Sequence, residues 1–227
     1  MQIDLGLIVA CMAERGFPVD VFLAASKEFR DDIRILRVIK NENEYDTGRT
    51  RLMHACLTGN AERVKILLSA GANVNPIQKE NWMSPLMRAC LCGHLETAEI
   101  LISAGANVNA RTIFGRTPLG FLCVSGEYRK ILSETHIMND GQEGQIASLL
   151  IRAGADIEIA MTNKHTVDVW TPLVWACSHG RTDMVAVLLE NGAKDKDKEG
   201  YREALYFKHT AIIELLRSSF PGAYDVN

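Results

Sequence analysis

The stretch Leu67-Leu68-Ser69-Ala70-Gly71-Ala72-Asn73-Val74-Asn75 returns almost letter for letter as Leu101-Ile102-Ser103-Ala104-Gly105-Ala106-Asn107-Val108-Asn109. Gly71 and Gly105 lie 34 residues apart. A period in the low thirties marks stacked supersecondary units, none of which can bury its apolar face alone. Repetition therefore decides the fold, and function is to be sought on a repeated surface.

The flanking sequence completes the unit. Ser84-Pro85-Leu86, Thr117-Pro118-Leu119 and Thr171-Pro172-Leu173 each sit six residues before the cysteine of a recurring pair. The pairs are Ala55-Cys56, Ala89-Cys90, Leu122-Cys123 and Ala176-Cys177. Ser or Thr accepts an orphan backbone N–H at a helix start, and Pro is preformed for the first turn. A short helix is expected from each start to near Gly59, Gly93, Gly126 or Gly180. A second follows, as in Glu62 to Ser69 and Glu96 to Ser103, and ends at a glycine suited to a left-handed cap.

Thr-Pro-Leu-x-x-Ala, Gly93-His94, a Val/Ala-x-x-Leu-Leu helix and Gly-Ala-Asn/Asp-Val-Asn together closely resemble the ankyrin repeat, over Asp46 to Gly200. The resemblance implies an all-α solenoid of helix pairs with β-hairpin connections. Residues 1–45 are expected to form an N-terminal helical cap, 46–200 four repeats, and 201–227 a degenerate C-terminal capping repeat with a shortened helix pair. In the cap segment Leu5, Leu7, Ile8, Cys11 and Met12 precede Gly16, and Val21, Phe22, Ala25, Phe29, Ile33, Leu36 and Ile39 recur at helical spacing.

Departures from the pattern are informative. The histidine of the family's Thr-Pro-Leu-His is replaced by Met53, Met87, Gly120 and Val174, and Arg51 stands where Pro is usual. Gly105 to Gly154 is 16 residues too long, which places an insertion in Glu127 to Gln142 within the third repeat. That segment carries Ile131, Leu132, Ile137 and Met138, with a turn expected at Asn139 to Gly141 and the second helix from Gln145. The hairpin from Ile157 to Trp170 is 5 residues longer than its neighbours. Its alternation predicts Ile157 and Ile159 opposite Val167 and Val169.

Composition narrows the function. A net charge of −3 and a pI near 6.1 give no electrostatic footprint for nucleic acid. No run of 18 apolar residues suits a membrane span. Ile8-Val9-Ala10-Cys11 loosely resembles a lipoprotein cleavage site, but no Lys or Arg precedes it and Asp4 lies within the segment. A cytoplasmic monomer with free thiols is expected for the six cysteines. Cys56, Cys90, Cys123 and Cys177 occupy one position of successive repeats, about 8–10 Å apart where helices pack, too far to share a zinc ion or a disulfide. They read as small apolar residues of the helix contact. Cys92 falls on another face, where the sequence leaves exposure open. His54, His94 and His179 fit helix-end hydrogen bonds, and the alternating run Lys194 to Glu199 fits a solvated hairpin. No phosphate loop, nucleophile elbow or metalloprotease motif occurs. The chain is expected to be no enzyme and to need no cofactor and no metal.

Binding remains. The resemblance implies contact through the hairpin tips Lys79 to Met83, Arg111 to Arg116 and His165 to Trp170. It adds the outward helix residues Leu57, Thr58, Leu91, Cys92, Val124, Ser125, Ser178 and His179, which line a concave groove. The apolar members Trp82, Met83, Leu91, Ile113, Phe114, Val124 and Trp170 would form a strip, with Arg88, Arg111 and Arg116 as a charged rim. The reading is an adaptor or scaffold that captures another protein through an apolar helix or extended peptide with acidic neighbours. A regulatory subunit inhibiting an enzyme, or a microbial effector binding a host protein, would use the same surface.

Overall fold

In the computed structural model the described residues are 50–77, 82–124, 141–162 and 169–224. The expected N-terminal helices, most of the insertion with Ile131 to Met138, and residues 163–168 of the long hairpin, Val167 among them, lie outside them. The elements are α1 (Arg51–Thr58), α2 (Ala61–Ser69), α3 (Pro85–Cys92), α4 (Leu95–Ser103), α5 (118–124), α6 (Glu143–Arg152), β1 (Met161–Thr162), β2 (Val169–Trp170), α7 (Pro172–Ser178), α8 (Thr182–Glu190), α9 (Glu199–Tyr206) and α10 (Thr210–Ser219). Inner helices α1, α3, α5, α7 and α9 alternate with outer helices α2, α4, α6, α8 and α10, and one continuous core runs through the stack.

Four inner helices start as their sequence dictates, whereas α9 starts on the Asp195 carboxylate, which accepts from Gly200 N–H and Tyr201 N–H at 2.9 and 3.0 Å. The hydroxyls of Thr50, Ser84, Thr117 and Thr171 accept the backbone N–H three residues on, at 3.2, 3.3, 3.1 and 3.5 Å. Outer helices stop by one repeated device. Ala72 N–H donates to Leu67 C=O and Gly71 N–H to Leu68 C=O, and Ala106 with Gly105, Ala155 with Gly154 and Ala193 with Gly192 repeat the pair. This is the Schellman arrangement. It requires the positive φ of about 85–89° that these glycines hold.

Side chains then tie unit to unit. Asn75 donates to Gly105 C=O at 3.1 Å and accepts from Asn107 N–H at 2.8 Å. Asn109 does the same to Gly154 and Asp156 at 2.9 and 2.9 Å. Glu158 takes the next such position. Having no N–H to give, it only accepts from Lys194 N–H, at 3.1 Å, and meets Lys196 at 3.8 Å. His94 reaches from the start of α4 to Leu57 C=O, and His209 from the start of α10 to Ser178 C=O, both at 3.2 Å. Each ring lies over a glycine, Gly59 or Gly180, where a Cβ would collide with it.

Four expectations need correction. Cys92 is fully buried, as are the four repeat-equivalent cysteines. The last helix pair is not shortened, at 8 and 10 residues. The helix after the insertion starts at Glu143 rather than Gln145, because the Glu143 carboxylate accepts from Gly141 N–H at 3.0 Å and pairs with Arg181 at 3.3 Å. The long hairpin pairs Met161 with Trp170 and Thr162 with Val169, so Ile157 does not face Val169 and packs on the core instead. Met161 accounts for this register. Its thioether fills the space over Gly120, where any Cβ would clash, which also explains a glycine in an inner helix.

Candidate binding surface

The tips are built as tightly as the helices. At the tip before α5 Thr112 N–H donates to Arg116 C=O, Gly115 N–H to Thr112 C=O, and Arg116 N–H to the Thr112 hydroxyl. That closed turn pushes Ile113 and Phe114 outward. The next hairpin is bonded alongside it. Thr162 donates through N–H and hydroxyl to Phe114 C=O at 3.3 and 3.1 Å, and Arg111 donates to Ala160 C=O at 3.1 Å. The two tips form one hydrogen-bonded rim.

Among its described residues, the tip before α3 differs from that plan in its backbone at Trp82. Counting back from the helix caps Ser84 and Thr117, Trp82 stands where the tip before α5 has Gly115. Both hold left-handed backbone, φ 58° for Trp82 and 71° for Gly115. Glycine takes this conformation freely, whereas a side chain there costs roughly 1–2 kcal/mol.

The structure divides the candidate residues into three groups. Arg111 is exposed, with Trp82 at 52 % and Ile113 at 48 % accessible. Phe114 and Trp170 are half-buried. Met83, Arg88, Leu91, Arg116 and Val124 are buried, so the expected apolar strip along the inner helices is not an open surface. Met83 and Leu91 join Met87 and Phe121 in a small core of their own, with Ala110 of the following tip packed against it. Arg116 lies over the Trp175 ring at 5.6 Å rather than forming a rim. Trp170 meets the same ring edge-on at 5.1 Å. The candidate surface thus contracts from a groove to the tips.

Other exposed apolar residues were not singled out by the sequence. Ile77 precedes the tip before α3, and Leu205 and Tyr206 end α9 with Phe207 just beyond, Tyr206 being 78 % accessible. Leu205 occupies the position taken by the buried Cys56, Cys90 and Cys177, three residues before the left-handed Gly59, Gly93 and Gly180, with Lys208 holding that backbone here.

The chemistry available is that of recognition. Burial drives the thiol pKa of Cys56, Cys90 and Cys177 far above the ordinary range and that of Cys123 up to about 12. These sulfurs are neutral at physiological pH and poor nucleophiles or ligands. Among the described residues no three His, Cys, Asp or Glu side chains converge to hold a metal ion. No described helix is long and apolar enough to cross a membrane.

Residues 21–112 and 135–227 match the family model described as ankyrin repeats (3 copies). The chain belongs to the ankyrin-repeat family. No curated protein matches it. Ankyrin repeats are in general protein–protein interaction modules and are typically non-catalytic. This ankyrin-repeat chain is an all-α solenoid, as its repeats predict. Its matched segments take in α9 and α10 as well as residues 21–45.

Proposed function

We propose that this chain is a non-catalytic adaptor or scaffold that captures another protein with the rim of its hairpin tips. The observation that carries the reading is the exposure of Trp82 and Ile113 on neighbouring tips. The second of those tips is locked to the next hairpin by hydrogen bonds to Phe114 and from Arg111. A rigid, partly aromatic rim loses little conformational freedom on docking, and clusters of this kind mark contact sites. Arg88, Arg116, Leu91, Met83 and Val124 support the tips from below and are not expected to touch the partner. The reading includes a monomeric chain in the cytoplasm, where free thiols persist.

Paired affinity purifications test it. Wild type, Ile113→Asp and a control on the outer helices, Lys65→Ser, are compared at equal loading. A partner retained by wild type and control but lost from Ile113→Asp is the expected result. A partner held equally by all three removes the tips from consideration. Ile113 is half exposed, so its replacement should change stability by no more than about 0.5 kcal/mol.

A further inference from the structure

Three observations converge on the tip before α3. Trp82 keeps a left-handed backbone that the equivalent Gly115 adopts without cost. Its indole is 52 % accessible and makes no hydrogen bond or ring contact among the described residues. Its neighbour Met83 points the other way, into the small core with Met87, Leu91 and Phe121, and Ala110 beside Arg111 packs on that same core. Trp82 and Arg111 therefore flank one anchored patch. The Arg111 guanidinium, held by Ala160 C=O, faces no carboxylate among the described residues.

A residue whose removal would relax the backbone, and which buries little against the fold, is not there for stability. We propose that Trp82 is the anchor of the partner contact, and that it receives an extended acidic-apolar peptide whose carboxylate pairs with Arg111. The proposal rests on the tip rim being the binding surface, and it names the occupant of that rim. Tryptophan and arginine are the side chains through which a few residues carry most of an interface's affinity. Arginine selects a carboxylate by paired N–H donors.

The test selects binders from a displayed library of random short linear peptides on the full-length wild-type chain. The peptides are then measured on Trp82→Gly, Trp82→Phe, Arg111→Gln and Ile113→Asp. Expected are peptides with Asp or Glu beside apolar residues, bound at least about tenfold more weakly by Trp82→Gly and less weakened by Trp82→Phe. Arg111→Gln should weaken them and abolish their salt dependence. Trp82→Gly should melt at the wild-type temperature or up to about 4 °C higher. A lower melting temperature for Trp82→Gly makes Trp82 structural and overturns the proposal, as does a library that yields no binder. Peptides indifferent to Trp82→Gly but lost on Ile113→Asp overturn the anchor while leaving the rim as the surface. Peptides indifferent to both overturn both. A wild-type dimer that Trp82→Gly converts to monomer would make a second copy the occupant and overturn the peptide.

Discussion

The inner-helix column and the hairpin tips are both repeated, yet they behave oppositely. Ala55-Cys56, Ala89-Cys90, Leu122-Cys123 and Ala176-Cys177 are nearly one pair written four times, and all eight residues are fully buried. The tips differ from unit to unit, with Trp82 where the next has Gly115, and they hold the exposed Trp82 and Ile113. Stacking demands the same small volume at every step, because each helix meets the next at the same distance. Nothing in the stack fixes what a tip presents. Sameness marks what holds the array together, and difference marks what it offers to a partner.

Alkaline pH should break the column most strongly. The four buried thiols have raised pKa values in the fold, for Cys123 about 12, with Cys56, Cys90 and Cys177 also displaced upward. A group whose folded pKa is raised contributes stability that is complete below its unfolded value, about 8.5 for a thiol, and is lost as pH climbs from there towards the folded value. Each thiol can remove about 1.4 kcal/mol per pH unit in that window. Denaturant midpoints should be flat from about pH 7 to 8 and fall steeply above about 9. A midpoint unchanged at about pH 10 would show that solvent reaches the column.

The buried pair at the end of the insertion comes next. Removing the Glu143 carboxylate strands Arg181 and frees Gly141 N–H, so Glu143→Ala should cost about 2 kcal/mol by denaturant titration. Smaller again are the ties between units. Asn109→Ala should cost about 1 kcal/mol by losing two inter-unit bonds, whereas Glu158→Asn should gain up to about 1 kcal/mol by restoring a donor. Equal effects at the two positions would mean that the ladder contributes nothing specific. A chelator should leave the melting temperature where it was, since the described cysteines sit one per unit along the column apart from Cys92.

The repeat itself was readable because its signals are local. Thr50, Ser84, Thr117 and Thr171 cap helices through bonds three residues long, and Gly71, Gly105, Gly154 and Gly192 close them within one turn. The groove was not readable, because whether Leu91 is open depends on what the next unit brings. Here Phe121 fills the space beside it. The hairpin register failed for the same reason, since Met161 answers to Gly120, some forty residues away and on another element. Trp82 and Ile113 were legible as tip residues. That Trp82 sits in a glycine's backbone conformation required coordinates.

The substitution of glutamate for asparagine at Glu158 also has a mechanical side. Two junctions, closed by Asn75 and Asn109, resist separation through a donor and an acceptor acting together, while the junction at Glu158 has an acceptor and a loose ion pair at 3.8 Å. The array is therefore a spring of unequal stiffness. Under tension along its length the Glu158 tie would yield before those at Asn75 and Asn109, leaving the Glu143–Arg181 pair and Arg116 over Trp175 to hold that junction.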